Sequence, residues 1–435
     1  MEIEEHFFRR ESGRIVATLT RLFGVGNVAL AEDVAQDAFC RAMETWKLRG
    51  LPKNPSAWLM ATARNRALDV LRRQHTAIAR EPELTRFLES EWTLVPTVDE
   101  AFSASAVKDS QLRMMFSCCH PRLSEDAQIA LILHILCGFS VAEIAQAFVS
   151  SYAAIEKRIT RAKKVLAESR KLFDLADADF PSRLSSVLQA LYLLFNEGYH
   201  GSSPDAAVRA DLCQEAMLLM NLLISQPALV NPKSYALAAL MYLNAARLPG
   251  RLDGSDNLVS FFEQDRSLWN HNVIAEGQAL LDLSASGTEL TKYHIEAGIA
   301  SVHASAASSE DTDWEQIVSL YDMLMAMHSS PVIALNRAIA IAQLDGPERG
   351  LQEIGVIHDL DRLSSYPFYP ATLGELELRR GKYPVAKAHF STALSLARNP
   401  TERNFLQRRI DTCKKVKRIA GSSVPLEPQR RSASR

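Results

Sequence analysis

Positive charge is concentrated in one short segment of the chain. Residues 151–171 carry seven Lys or Arg side chains and two Asp or Glu side chains. Directly before them, residues 141–148 place apolar side chains at positions i, i+3, i+4 and i+7, which predicts a helix with one apolar face. Ser150 and Ser151 can turn the chain and cap the helix that follows. A helix, a short turn and a basic second helix are typical of a motif that binds in the major groove of duplex DNA.

The second helix of this motif has two faces of different chemistry. Ile155, Ile159, Ala162 and Leu166 share a narrow arc of the helical wheel, so we expect them to be buried. The opposite side carries the residues that we predict to bind DNA, which are Tyr152, Glu156, Lys157, Thr160, Arg161 and Lys164. Lys and Arg there would bind phosphates, and the residues near the N-terminal end would reach base edges. The alternative is a solvated basic face without a ligand.

A second stripe of potential ligands lies on a predicted helix over residues 54–73, with Asn54 as its cap and Pro55 at its first position. Its predicted core face consists of Met60, Ala63, Ala67 and Leu71. The other face carries Trp58, Thr62, Asn65, Arg66, Asp69, Arg72 and Arg73. An aromatic ring, amides and arginines on one stripe suit an unpaired DNA strand, because the ring stacks on a base while arginines bind phosphates. The alternative is that Trp58 belongs to the core of a small three-helix domain.

The segment before that helix, residues 31–46, also reads as an amphipathic helix. Val34, Ala38 and Met43 form its expected buried side. Its expected solvent side carries Asp33, Gln36, Asp37 and Glu44.

Charge is divided unevenly along the chain, although the net charge is only −2. Residues 1–171 contain 24 Lys or Arg and 21 Asp or Glu, residues 172–402 contain 15 and 28, and residues 403–435 contain 10 and 2. Because an acidic surface repels nucleic acid, DNA contacts are expected in the first part or in the tail.

Helical periodicity dominates throughout, so the sequence predicts an all-α fold. Near the end, "LRRGKYPVAKAHFSTALSL" (378–396) is spaced like a tetratricopeptide helix pair, with Gly381 in the turn and Ala386 and Phe390 at the packing positions. Three other motifs have structural explanations. Residues 251–257 predict a turn, Arg266 in "EQDRSLWN" predicts helix-surface pairing rather than an acidic pocket, and "TDWE" predicts a capping box of Thr312 and Glu315.

The two N-terminal blocks together resemble a bacterial RNA polymerase sigma factor of the extracytoplasmic-function type. "AEDVAQDAFCRA" resembles the helix that docks on the polymerase clamp, "PSAWLMATARNRALDVLRR" the segment that melts and reads the −10 element, and the helix-turn-helix the reader of the −35 element. "LYLLFNEGY", "EQDRSLWN" and "SPVIALNRAIA" resemble the subgroup with a long tetratricopeptide-like C-terminal extension.

The resemblance implies a domain order and a set of partners. We expect sigma region 2 over 10–74, a linker over 75–107, sigma region 4 over 108–171, a tetratricopeptide-like helical domain over 180–415 and a disordered basic tail over 416–435. Core RNA polymerase would bind Asp33, Gln36, Asp37 and Glu44, while the stripes on residues 58–73 and 152–164 would bind promoter DNA. The linker has to connect two domains held apart on the polymerase, and at ~3.3 Å per residue its reach is on the order of 100 Å.

Several other functions are disfavoured by the sequence. Six scattered cysteines and the lack of a leader segment or of a run of 18 or more apolar residues predict a cytoplasmic protein without a membrane span. Cys118, Cys119, His120 and Cys137 invite a zinc site, but a buried structural cluster is favoured. We therefore predict no metal, no cofactor and no enzymatic activity.

Two functional questions stay open at this level. The extension is expected to offer a concave surface to a protein or peptide partner. Either it contacts polymerase or a protein signal and switches the sigma unit on or off, or its net charge of −13 folds back on the basic DNA-binding helices as an inhibitor. The rival for the whole chain is a ligand- or peptide-sensing helix-turn-helix regulator without sigma activity.

Overall fold

This computed structural model describes residues 5–24, 27–78, 100–148, 150–168, 180–200, 207–255 and 257–421. Most of the predicted linker and the end of the predicted basic tail lie outside these ranges. Within them the chain is all-α, as predicted, and its only β-type pairing is an isolated bridge between Leu252 and Leu258. No helix of the described part is both long and apolar enough to cross a membrane.

The described chain forms two compact units. The first holds the residues up to 200 together with 208–238, and the second holds Ala207 and the residues from 239 onward. The helices of the first unit are α1 (Glu5–Phe23), α2 (Val28–Arg49), α3 (Pro55–Ile78), α4 (Ala104–Cys118), α5 (Glu125–Leu131), α6 (Val141–Ala147), α7 (Tyr152–Glu168), α8 (Phe180–Tyr199) and α9 (Ala210–Ile224). A π-helical turn, Ile132–Leu136, continues α5. Helix α10 (Pro232–Ala245) contains the boundary between the units.

Helix α1 is the centre of the first unit. Its side chains Ile15, Val16, Ala17 and Leu19 are almost completely buried. The helix packs against α2 and α3 on one side and against α4 and the π-helical turn on the other. The predicted −10 and −35 blocks therefore share one core in this structure.

The contact between α1 and the π-helical turn depends on a glycine. A Cβ atom at Gly13 would lie 2.0 Å from the carbonyl oxygen of Leu136. Because backbone rather than a flexible side chain is in the way, only glycine permits this spacing.

The second unit is a series of helices in which each packs on the next. Its members are α11 (His271–Ser284), α12 (Lys292–Ser305), α13 (Trp314–Met327), α14 (Pro331–Leu344), α15 (Pro347–Gly355), α16 (Phe368–Arg379), α17 (Tyr383–Leu396) and α18 (Pro400–Gly421). Such nearest-neighbour packing is the organisation of an α-solenoid. The predicted tetratricopeptide pair is confirmed as α16 and α17, with Gly381 at φ 73° between them and Ala386 and Phe390 fully buried.

Two of the smaller motif predictions were wrong. The cap of α13 is Asp313, whose side chain accepts a hydrogen bond from the Gln316 amide, rather than Thr312. Thr312 instead accepts a hydrogen bond from the buried Arg266, whose guanidinium also donates to the carbonyls of His303 and Ala306. Arg266 is therefore a core anchor and not part of a helix-surface ion pair.

The close approach at Gly13 gives a first prediction. Gly13→Ala should lower the free energy of unfolding of the first unit by about 1–3 kcal/mol, because the added methyl group pushes α1 away from Leu136. Denaturant unfolding measures this change. Gly254→Ala is the control, since no atom lies within 4 Å of its Cβ position. Equal stability of the two variants would contradict the packing described.

Candidate nucleic-acid interface

The helix-turn-helix is formed by α6 and α7. Ser151 begins α7 as its cap, because its hydroxyl accepts a hydrogen bond from the Ala154 amide at 3.3 Å. The predicted buried arc of α7 is confirmed, with Ile155, Ile159, Ala162 and Leu166 each at most 4% exposed. Helix α7 packs against α5 and α6, so its orientation is set by two helices rather than by one.

All the residues predicted for duplex contact lie on the solvent side of α7. Tyr152 is 55% exposed, and Glu156, Lys157, Thr160, Arg161 and Lys164 are exposed as well. Two other basic residues of this helix have structural partners instead. Arg158 lies 3.5 Å from the carboxylate of Asp126, and the Lys163 ammonium donates to both carboxylate oxygens of Glu32 at 2.7 and 2.8 Å.

Helix α3 carries the predicted single-strand stripe. Asn54 caps it by accepting from the Ala57 amide at 3.0 Å. Its fully buried side chains are Leu59, Ala63, Ala67 and Leu68. The predicted core residues Met60 and Leu71 are only half-buried, because the apolar face is rotated toward Leu59 and Leu68.

The predicted stripe itself is accessible. Asn65, Asp69, Arg72 and Arg73 are exposed, and Thr62 and Arg66 are partly exposed. Trp58 is half-buried, with its ring 5.3 Å from that of Trp46 in an edge-to-face contact. Trp58 thus contacts the buried Trp46 and keeps some accessible surface, and its contact with DNA stays a prediction.

The predicted polymerase-binding face of α2 is exposed at Asp33, Gln36, Asp37 and Glu44. Met43, predicted on the buried side, is 65% exposed, and Ala42 and Trp46 are buried in its place. Asp37 accepts hydrogen bonds from the Arg66 guanidinium at 2.8–2.9 Å. The structure thus pairs a residue predicted for polymerase with one predicted for DNA.

A carboxylate in α6 joins three parts of the first unit. One oxygen of Glu143 accepts from Arg9 of α1 at 3.0 Å and from Arg209, the residue before α9, at 2.9 Å. The other oxygen accepts from the Ser140 amide and hydroxyl, both at 2.8 Å, and the Ser140 hydroxyl accepts from the Glu143 amide. Ser140 and Glu143 therefore form a capping box at the start of α6.

The surroundings of Glu143 stabilise its charged form. Burial alone would raise the pKa of this carboxyl, but the Ser140 hydrogen bonds and the nearby Arg9 and Arg209 guanidinium groups hold the pKa below its ordinary value. Both guanidinium groups also lie over the Phe139 ring, at 5.4 and 5.9 Å from its centroid. We call this group of residues, Arg9, Phe139, Ser140, Glu143 and Arg209, the Glu143 junction.

Helix α9 also carries a buried carboxylate. Glu215 is 4% exposed, and neither of its oxygens has a hydrogen-bond partner among the described atoms. Burial raises its pKa to about 7; Glu11 of α1 also raises it, whereas Arg10 and Arg14 act in the opposite direction.

Sequence reasoning missed these junction residues. The motif Ser140-x-x-Glu143 is a recognisable capping box, so the start of α6 was available from the sequence. The two arginine partners were not, because they lie 134 and 66 residues away from Glu143.

Three of the cysteines that invited a zinc interpretation, or lie next to it, are inside the first unit. Cys118, Cys119 and Cys137 are almost fully buried, and burial raises the pKa of each thiol. No group of three potential metal ligands occurs in the described part of the chain.

Comparisons with known proteins match the parts of the chain that contain α3 and α7. Three family models match the chain: Sigma-70 region 2 over residues 7–76, Sigma-70 region 4 over residues 113–166, and a family of unknown function, DUF6596, over residues 183–285. An uncharacterized protein of Rhizobium meliloti strain 1021, R00370, is 38% identical over 389 residues, covering 88% of this chain and 90% of that protein. No solved structure matches the chain.

The exposed face of α7 gives a second prediction. Replacing Lys157 and Arg161 by Ala should weaken binding to duplex promoter DNA and reduce the salt slope of log K by about 0.9 per lost phosphate contact. Fluorescence anisotropy at several salt concentrations measures both quantities. Arg349→Ala removes an exposed arginine from the C-terminal extension and should leave both unchanged. An unaltered slope in the Lys157/Arg161 variant would exclude this face as the phosphate-binding surface.

Proposed function

Because the chain belongs to the sigma-70 factors of the extracytoplasmic-function type with a helical C-terminal extension, we propose that it binds core RNA polymerase and starts transcription at specific promoters. The observation that carries this proposal is the pair of accessible faces on α3 and α7, one in each sigma region. Sigma factor families are not enzymes, and the proposed activity needs no catalytic group. We place this activity in the cytoplasm, where the polymerase is.

The two faces suit two forms of DNA. The solvent side of α7 is rigid and basic, so it fits the −35 duplex, with Tyr152, Glu156, Lys157 and Thr160 near the bases. The stripe on α3 fits the −10 strand after it has been unpaired. Unstacking costs a few kcal/mol per step, and stacking on Trp58 with phosphate binding by Arg72 and Arg73 would offset that cost.

Polymerase binding and DNA binding are coupled in this proposal through Asp37. Core polymerase would bind Asp33, Gln36, Asp37 and Glu44. In the structure Asp37 pairs with Arg66. When a basic group of the polymerase binds Asp37, Arg66 becomes available for a phosphate. The Asp37 side chain is 55% exposed and that of Arg66 is 34% exposed, so the exchange costs about 1 kcal/mol.

We further propose that the extension regulates the sigma regions by holding them together. The Glu143 junction and the Lys163–Glu32 pair join regions that the polymerase has to hold apart. Each hydrogen bond to a charged group contributes about 1.5–3 kcal/mol to stability. The bond that Arg209 of the extension donates to Glu143 therefore stabilises the closed arrangement by an amount in this range. A partner of the extension that displaces α8 and α9 would favour the open, polymerase-binding form.

A helix-turn-helix regulator without sigma activity is the second candidate. It needs only the α7 face, whereas the accessible stripe on α3 and the acidic face of α2 have no role in it. Purified chain with core polymerase and a promoter library distinguishes the two, because only a sigma factor gives polymerase-dependent initiation.

The −10 stripe gives a third prediction. Asn65→Ala should slow promoter opening by about tenfold or more, because one base contact of about 1–3 kcal/mol is lost. Permanganate reactivity of −10 thymines in the holoenzyme complex measures opening. Asn272→Ala, an exposed amide of α11, is the matched control. Normal opening by the Asn65 variant would remove this residue from the proposed site.

The Glu143 junction gives a fourth prediction. Glu143→Gln keeps the side-chain shape but loses the charge that holds both arginines, so the two sigma regions should separate more often and bind core polymerase about tenfold more tightly. Energy transfer measures separation between a dye on Cys40, which is exposed in α2, and one on Ala167→Cys at the end of α7.

Asp126→Asn is the matched control for Glu143→Gln. It makes the same chemical change in region 4, where Asp126 pairs with Arg158 of the same region. Identical energy transfer in the two variants would contradict the closed form. Loss of transcription in Glu143→Gln, with its fold intact, would instead indicate that the extension activates.

A further inference from the structure

A segment of the second unit contacts helices far apart in the solenoid. We call residues 251–255 and 257–265, between α10 and α11, the strap. At the C-terminal end of the unit, Arg408 of α18 donates to the Leu258 carbonyl at 2.7 Å, and Arg409 donates to the Glu263 carboxylate at 2.8 Å. These contacts join residues 150 and 146 positions apart.

The same strap contacts the N-terminal end of the series. The Phe261 ring lies 4.7 Å from the imidazole of His303 at the end of α12, and the Phe262 ring lies 6.0 Å from that of Trp314 at the start of α13. In a solenoid each helix packs on its neighbours, so contacts between distant helices are not expected. The strap therefore crosses from the second and third helices of the series to the last one.

The strap contacts the helices in the way a bound peptide does. A main-chain carbonyl and a carboxylate face two arginines of α18, while consecutive aromatic rings pack on His303 and Trp314. Arg409 also forms an ion pair with Glu375 of α16, with 2.6 Å between Nε and Oε1, so it has a second acidic partner besides the strap. Burial raises the pKa of Glu375, while Arg409 has the opposite effect.

The middle of the strap is less firmly bound than its end. Phe262 is 41% exposed and the Glu263 side chain is 54% exposed, whereas Arg266 and Trp269, just beyond the strap, are 8% and 3% exposed. At the other side of the strap, Gly254 has open space around its Cβ position. The exposed side chains of Phe262 and Glu263 thus lie next to anchors that are buried at Arg266 and Trp269.

We propose that the strap is a resident peptide on a binding site for an extended segment of a partner protein, with two aromatic residues followed by an acidic one. The inference rests on the proposed partner binding by the extension and names the chemistry of that partner. The aromatic residues of the partner pack on His303 and Trp314. Arg409 binds its acidic side chain, and Arg408 donates a hydrogen bond to one of its main-chain carbonyls.

The strap is attached to the chain that carries its binding site, and a separate peptide has to compete with it. A segment attached to its own site has an effective concentration in the range of about 1 mM, so a micromolar peptide does not compete with the intact strap. A natural partner competes when it makes further contacts elsewhere on the extension.

The test uses the full-length chain with residues 257–263 replaced by glycines and serines of equal number. A fluorescent peptide of sequence NLVSFFEQ, residues 257–264, should bind this chain with a micromolar Kd and the wild type at least about tenfold more weakly, as the effective concentration requires. Adding Arg409→Gln to the replaced chain, or Gln for Glu in the peptide, should weaken binding about tenfold, the equivalent of about 1.4 kcal/mol.

Two results would overturn the inference. One is a folded replaced chain that binds neither peptide, and the other is equal binding of the Glu and Gln peptides. If the replaced chain does not fold, hydrogen exchange at the amides of residues 257–264 tests the inference in the otherwise unaltered chain. These amides should exchange about tenfold faster in Glu263→Gln than in Lys414→Gln. Lys414 lies on the same helix as Arg409 and pairs with Asp411. No polymerase or DNA is present, so a negative result leaves the sigma activity untouched.

Discussion

The shared carboxylate of Glu143 is the interaction on which the arrangement of the first unit depends. A partly buried carboxylate is costly unless its oxygens are satisfied, and here they accept hydrogen bonds from Ser140, Arg9 and Arg209. The side chain of Glu143 thus belongs to the capping box that begins α6, and it accepts hydrogen bonds from Arg9 of α1 and from Arg209, the residue before α9. Since its pKa is lowered, its contribution to stability is present above the ordinary value of 4.5 and is lost as the pH falls through the lower folded-state value.

The groups that hold the first unit together are separate from those proposed to bind DNA. Lys163 and Arg158 use their charges inside the protein, while Lys157, Arg161 and Lys164 are exposed on the other side of the same helix. Closing the unit therefore does not cover the face of α7 that is proposed to bind DNA. It fixes the distance between the two sigma regions instead, so regulation would act on domain placement and not on the chemistry of recognition.

Periodicity predicted those features of the fold that depend on one helix at a time. The buried arc of α7 and the helix pair of α16 and α17 follow from spacing alone, and both are confirmed. Met43 and the edges of the α3 core were misplaced because a helical wheel gives angles but not the positions of neighbouring helices. The roles of Arg266 and Glu143 could not be predicted, since each is defined by partners distant in sequence. The individual polymerase and DNA contacts stay predictions.

The Glu143 junction and the strap, both proposed to act in regulation, share one physical property. Each relies on an arginine–carboxylate contact whose acidic side chain keeps access to water, 25% at Glu143 and 54% at Glu263. Each such contact contributes a few kcal/mol at most to stability, so the free-energy difference between the states with and without the contact is small. A complete shift from 1:99 to 99:1 needs about 5.5 kcal/mol of differential binding. One ion pair cannot supply this, so a partner would have to add apolar contacts; at the strap site the two aromatic residues of the proposed segment would make them with His303 and Trp314.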